Sequence, residues 1–135
     1  MTRLQSASQT AGPYVHIGCT PSFAGLENMY GGHDLGAEMF SSDTSGLLIT
    51  IKGRIFDGDG KPVTDAMLEF WQADSSGQYA SQGGSQGWAR RAVDAELAGY
   101  YLQTILPAAI GEDAPHIKVW VVARGINLGL HTRIY

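Results

Sequence analysis

The sequence has a single cysteine, Cys19, among 135 residues, so no disulfide can form within the chain. Disulfides persist mainly in oxidising compartments, and their absence predicts a protein of the reducing cytoplasm. No apolar run approaches the ~18 residues that indicate a membrane-spanning helix, and the first ten residues lack the apolar segment of a signal peptide. The net charge of -4 is spread without blocks, which argues against nucleic acid or anionic membranes as partners.

The composition predicts one all-β domain preceded by a poorly patterned segment. Eighteen glycines and five prolines separate short apolar runs, as is typical of a turn-rich β architecture. We predict that residues 1–45 form an N-terminal arm and a segment that packs on a partner, with a short extended stretch at 14–17. Residues 46–135 form the predicted β-sandwich core.

Apolar and β-branched residues indicate the strands of that core. By propensity alone, WARRAVDAELAG at 88–99 could instead form two turns of helix capped by Gly99. The polar cluster at 57–60 predicts a turn. The predicted strands are residues 47–56, 67–72, 100–105, 117–123 and 130–135.

Two motif matches are better explained as loops. Counting a calcium-binding loop from Asp57 places Pro62 at the required glycine and Leu68 at the bidentate glutamate, so a hairpin turn is preferred. Residues 83–87, GGSQG, match the nucleophile-elbow pattern of hydrolases. That pattern needs a strained turn between a buried strand and a helix, and a polar glycine-rich loop does not provide one.

Residues 53–79, GRIFDGDGKPVTDAMLEFWQADSSGQY, resemble the signature of intradiol ring-cleavage dioxygenases, iron enzymes that open catechols between their two hydroxyls. With residues 8–18 and 114–135, the resemblance narrows to the alpha chains of two-subunit members that act on protocatechuate. It implies a two-sheet β-sandwich of the intradiol dioxygenase type. It also implies a strand near 91–93 and a turn through 94–99, against the helical alternative.

The iron ligands of the family are largely missing. Family members hold Fe(III) with two tyrosinates and a His-x-His pair, and two strand residues spaced in this way point to one side. Here His116 is followed by Lys118, whose ammonium is a poor ligand for Fe(III). Residues 81–97 and 107–115, where the tyrosinates are expected, contain no tyrosine. We predict no metal site in this chain, Tyr79 as a packing residue, and His116 as a strand histidine hydrogen-bonded in the sheet.

The resemblance implies that Fe(III) is bound by a partner beta chain, while this chain completes the substrate cavity. The matching substrate-binding residues are Thr10, Gly12, Pro13, Tyr14 and Arg124, and no catalytic residue is expected. Gly12 and Pro13 would allow a ligand to approach the backbone, and Tyr14 would offer an aromatic wall. The permanent cation of Arg124 suits a carboxylate, with a surface or interface salt bridge as the alternative.

The resemblance therefore implies a non-catalytic subunit of a hetero-oligomer that converts protocatechuate and O2 to 3-carboxy-cis,cis-muconate. His131 and Arg133 are predicted to make subunit contacts. Alpha chains of the family continue for tens of residues beyond Tyr135, so we expect either a fragment or strands supplied from elsewhere. The alternative function is a transthyretin-like binding or structural module without a catalytic partner.

Overall fold

The computed structural model describes residues 4, 7–80 and 87–135. Within those residues the chain forms one short helix and six strands. No helix among them is long and apolar enough to cross a membrane. In chain order the elements are α1 (Pro13–Cys19), β1 (Leu48–Gly53), β2 (Met67–Gln72), β3 (Trp88–Ala92), β4 (Tyr100–Ile105), β5 (Ile117–Val122) and β6 (Leu130–Ile134).

The strands form two antiparallel sheets. One contains β1 and β4, and the other has the order β3-β2-β5-β6. The prediction of an all-β, two-sheet sandwich is confirmed. β2 lies inside the larger sheet, between β3 and β5, which explains its nearly continuous apolar sequence.

The core lies between the sheets and is lined by alternate residues of the strands. Leu68 and Phe70 of β2 are buried there, and the Phe70 ring lies 5.4 Å from that of Tyr100 on β4. Gln72 is also buried, yet its amide is satisfied: Nε2 donates to the Ile105 carbonyl at 2.9 Å, and Oε1 accepts from Thr104 at 2.8 Å. Because these partners belong to the second sheet, the polar pair joins the two layers without an unpaired group.

Residues 88–99 form a strand and a turn, as the resemblance implies, and not the helix that local propensity allows. Ala92 lies opposite Met67 in the β2–β3 register, and Ala89 is fully buried. The turn is closed by Asp94, whose backbone N–H donates to the Gly99 carbonyl at 2.8 Å. Tertiary pairing thus outweighs a weak local helical preference.

The turn predicted at 57–60 is confirmed. The Gly60 N–H donates to the Asp57 carbonyl at 3.0 Å, and Asp57 Oδ1 accepts from the Lys61 N–H at 2.8 Å. β1 ends at Gly53, earlier than predicted, and beyond it only a single bridge joins Phe56 and Pro62. The elbow-like motif at 83–87 lies, except for its last glycine, outside the described residues.

The extended stretch predicted at 14–17 is wrong, because these residues belong to α1. Gly12 is the extended N-cap of this helix, and Pro13, with its fixed φ, occupies the first turn. The helix contacts this chain's own larger sheet: His16 Nε2 donates to the Asp65 carbonyl at 3.1 Å, and Arg90 donates to the Cys19 carbonyl at 3.2 Å. Part of the segment predicted to pack on a partner therefore also packs within the chain.

Candidate functional site

A small cavity of about 150 Å³ lies where the start of α1 meets the larger sheet. Three of the five predicted substrate-binding residues line it: Gly12, Pro13 and Arg124. The structure therefore brings together residues that are more than a hundred positions apart in the sequence. The remaining lining residues are Ala11, Val15, His16 and Asp65.

Within residues 4, 7–80 and 87–135, nothing requires a glycine at position 12. Its φ of -120° is open to any residue, and a Cβ added there would meet no atom within 4 Å among the described residues. Its carbonyl accepts from the Val15 N–H at 3.0 Å, a bond that any residue could form. The open space beside Gly12 is suited to the close approach of a ligand or a partner backbone.

Arg124 is anchored at one edge only. Its Nε donates to Asp65 Oδ2 in an ion pair, with the arginine side chain 73% exposed and the aspartate 27% exposed. Among the described residues, neither Nη1 nor Nη2 of Arg124 has a hydrogen-bond partner. The salt bridge foreseen as the alternative thus exists within the chain, and it leaves the terminal edge of the guanidinium open to a carboxylate.

Thr10 joins the N-terminal arm to the turn that carries Arg124. Its Oγ1 accepts from the Gly125 N–H at 2.8 Å and donates to the Ala123 carbonyl at 3.5 Å. These bonds place the residue beside Arg124, although it does not line the 150 Å³ cavity. Tyr14 does not line it either, and its side chain is 84% exposed. Its predicted role as an aromatic wall has no counterpart inside this single chain.

Sequence patterns did not reveal Asp65 or His16 as parts of the site. Asp65 lies in the signature at 53–79, but a single carboxylate in a loop gives no sign of the arginine it pairs with. His16 was placed in an extended stretch. Only the helix brings its ring to the Asp65 carbonyl.

The residues around His116 do not fit a metal ion. His116 is buried, its Nδ1 lies 2.8 Å from the Ala114 carbonyl, and its Nε2 has no hydrogen-bond partner among the residues that the structure describes. Lys118 stands at the position of the second histidine of a His-x-His pair, and its ammonium lies 5.1 Å from the ring centre of Tyr79. In the part of the chain that the structure describes, no three His, Cys, Asp or Glu side chains are grouped to hold a metal.

His116 also differs in detail from its prediction. It comes just before β5, and its bond is to a carbonyl two residues earlier rather than to a neighbouring strand. Tyr79 has packing contacts, since its ring stacks on Trp71 at 5.8 Å. These contacts describe a packed surface, not a ligand set.

The two residues predicted to make subunit contacts have partners within the chain. His131 stacks on Trp120 at 6.4 Å, and Arg133 lies 3.7 Å from Asp113. A hydrogen bond to Tyr135 raises the pKa of Arg133 above its usual value. Both remain exposed, so their role in an assembly stays a prediction.

Two larger hollows contain no predicted site residue except Thr10. One, of about 540 Å³, lies between residues 8–11, α1 and the outer face of the larger sheet. The other, of about 810 Å³, is an open groove beside β4. In that groove burial lowers the pKa of Arg91 and raises that of Tyr100.

Comparisons with known proteins identify the family of the chain. The dioxygenase family model matches residues 20–127. The protocatechuate 3,4-dioxygenase alpha chain of Pseudomonas putida is 36% identical over 140 residues, covering 97% of this chain and 69% of the relative. The corresponding alpha chain of Burkholderia cepacia is 37% identical over 147 residues, covering 100% of this chain and 72% of the relative.

Two further relatives are more distant. The protocatechuate 3,4-dioxygenase beta chain of Burkholderia cepacia is 34% identical over 59 residues, covering 38% of this chain and 25% of the beta chain. The solved dioxygenase domain of a dioxygenase carbohydrate-binding protein fusion from Streptomyces sp. SirexAA-E superposes with a TM-score of 0.61 at 32% identity. That match covers 73% of this chain and 62% of the solved chain.

The chain therefore belongs to the intradiol dioxygenase family, whose members are non-haem iron enzymes. Within that family it is an alpha-type chain, because alpha chains match it over nearly its whole length. This assignment favours a dioxygenase subunit over a transthyretin-like module.

Proposed function

We propose that this chain is the non-catalytic alpha subunit of a protocatechuate 3,4-dioxygenase, and that a beta subunit holds the Fe(III). The observation that carries the proposal is the open guanidinium edge of Arg124 beside the uncrowded Gly12. The misfit of the surroundings of His116 to a metal supports placing the iron on the partner. The match to both alpha and beta chains supports a two-chain assembly.

In this assembly the iron chemistry belongs to the beta subunit, where Fe(III) would bind the catecholate and promote its reaction with O2. The residues of this chain would bind and enclose the substrate. Arg124 would pair with the substrate carboxylate, and Gly12 and Pro13 would form a wall that the ring can approach closely. Tyr14 and Thr10 would extend that wall towards the partner. Their contribution is to orient protocatechuate and exclude water until 3-carboxy-cis,cis-muconate is released.

We further propose that alpha–beta pairs assemble into a larger oligomer in the cytoplasm. The exposed apolar side chains of this chain support an extensive protein contact, since large exposed apolar surfaces typically mark interfaces. They include Tyr14, Leu47, Leu48, Leu128 and Leu130.

Substitution of Arg124 tests the proposed role. In a reconstituted alpha–beta complex, Arg124→Ala is expected to lower kcat/KM for protocatechuate by roughly 10- to 150-fold, since a charge-assisted hydrogen bond contributes ~1.5–3 kcal/mol. Catechol lacks the carboxylate, so its kcat/KM should change much less. Steady-state kinetics on both substrates, with iron content measured in each preparation, provide the comparison.

Arg54→Ala is the matched control, because Arg54 is exposed and lies at the 810 Å³ groove instead of the candidate site. It should leave both substrates nearly unaffected. An equal loss on protocatechuate and catechol in Arg124→Ala, with assembly and iron intact, would return Arg124 to a purely structural ion pair.

A further inference from the structure

The guanidinium of arginine presents two separate N–H edges, and Asp65 occupies only one of them. Its Oδ2 accepts from Arg124 Nε, while the Nη1/Nη2 edge meets no acceptor among the described residues. A carboxylate matches that second edge with two parallel hydrogen bonds. The ion pair and a bound carboxylate can therefore coexist on the same side chain.

The backbone of Asp65 is anchored by hydrogen bonds to two other segments. Its carbonyl accepts from His16 Nε2 at 3.1 Å, and the next carbonyl, of Ala66, accepts from the Val93 N–H at 2.9 Å. His16 is fixed in turn by Thr20, whose Oγ1 lies 3.2 Å from Nδ1. The aspartate is thus attached both to α1 and to the start of β2.

Arg124 has far less support of its own. Its side chain is largely exposed, and it stands in the turn that follows β5. A long exposed side chain loses rotamer freedom when it binds a ligand, and this loss weakens binding. A carboxylate on this anchored backbone already holds Nε before the ligand binds, so part of the loss of rotamer freedom has already occurred.

We propose that Asp65 is a positioning residue, which orients Arg124 and so sets the preference of the assembly for carboxylated over unsubstituted catechols. The proposal rests on the function proposed above for Arg124. Because Asp65 would affect the binding of the substrate and not its conversion, its removal should raise KM for the carboxylated substrate. The chemical step, carried by the partner subunit, should keep its kcat.

The test uses Asp65→Asn in the reconstituted alpha–beta complex. Asparagine keeps the shape of aspartate but lacks its charge, so it holds Nε more weakly. We expect KM for protocatechuate to rise about 3- to 10-fold, with kcat for protocatechuate and kcat/KM for catechol changed less than about twofold. The matched control is Asp59→Asn, which removes the same charge from an exposed turn where Asp59 pairs with Lys61 at 3.8 Å. It should change neither substrate.

Making Asp65→Asn in an Arg124→Lys variant separates the orienting effect of Asp65 on Arg124 from the effect of its charge on the substrate. In Arg124→Lys the cation remains, but Nε and the two-pronged edge are lost. If Asp65 acts by holding Nε, adding Asp65→Asn to Arg124→Lys should raise KM for protocatechuate no further. A further rise of the same size as in the wild-type background would overturn the proposal.

The outcomes also distinguish the two proposals. A selective effect of Arg124→Ala with none of Asp65→Asn leaves the function of Arg124 standing and refutes positioning by Asp65. No selective effect of either variant refutes both.

If Asp65→Asn does not assemble, Asp65→Glu keeps the charge but moves it by one methylene. It should still raise KM for protocatechuate selectively, and an unchanged KM would overturn the proposal.

Discussion

Single side chains in this protein depend on partners that lie far away in the sequence. Arg124 is oriented by Asp65, and Thr10 bonds to Gly125 at 2.8 Å across more than a hundred positions. The space beside a glycine is likewise set by the side chains around it. A Cβ added to Gly129 would come within 1.7 Å of Trp120 Nε1, whereas one added to Gly58 would meet nothing within 4 Å.

Gly129→Ala should therefore destabilise the chain through Trp120. The indole must move to admit the methyl group, and overpacking of this kind costs about 1–3 kcal/mol of unfolding free energy. Urea unfolding followed by tryptophan fluorescence measures the loss. Gly58→Ala is the control and should stay within about 0.5 kcal/mol. Equal stability of the two variants would contradict the close contact at Trp120.

At the scale of elements, an ion pair within the larger sheet orients the arginine that bonds to the end of α1. Glu69 on β2 lies opposite Arg90 on β3, and their charged atoms are 2.5 Å apart with side chains only 23% and 16% exposed. Arg90 also donates to the Cys19 carbonyl at the end of α1. The pair thus holds the helix that carries Gly12 and Pro13 against its support.

Glu69→Ala should cost about 1–3 kcal/mol of unfolding free energy, because it leaves a mostly buried guanidinium without its countercharge. The double variant Glu69→Ala/Arg90→Met should recover part of that loss, since no unpaired charge remains. Asp59→Ala, which breaks an exposed pair, should change stability by less than about 0.5 kcal/mol. A double variant less stable than Glu69→Ala would argue against an unpaired charge as the cause.

For the whole molecule, the sandwich supplies a rigid support, whereas the proposed chemistry requires a second chain. At His116 the imidazole Nε2 is buried and meets no partner in the described part of the chain, and the neighbouring cation of Lys118 faces Tyr79. A positive side chain at this place opposes the binding of another cation. Purified alone, the chain should therefore contain no stoichiometric iron.

Elemental analysis and the visible band of a tyrosinate bound to iron check this expectation. The reconstituted alpha–beta complex is the positive control and should show both signals. Lys118→Ala tests whether the ammonium alone excludes the metal. It should still fail to bind iron, because the described residues around His116 include no other suitable ligands. Stoichiometric coloured iron in the isolated wild-type chain would contradict the assignment of the metal to the partner.

The sequence by itself determined the family, the sandwich class and the strand at 67–72. These follow from local information: the signature at 53–79, the turn residues at 57–60, and the nearly continuous apolar run from Met67 to Gln72. Such features act within a few residues of each other, through side-chain periodicity and backbone preference. The absence of tyrosine from 107–115 was likewise visible without a structure.

Tertiary structure alone decided the helical conformation of 14–17 and the partners of the candidate site, and it explains why 88–99 is the strand and turn that the resemblance implies. Residues 14–17 form a helix that docks through His16, and β3 forms because Ala92 and Arg90 meet Met67 and Glu69 across the sheet. The Asp65–Arg124 pair joins two loops 59 positions apart. No local pattern encodes such contacts, since they arise only when burial of the core brings separate segments to the same edge of the sandwich.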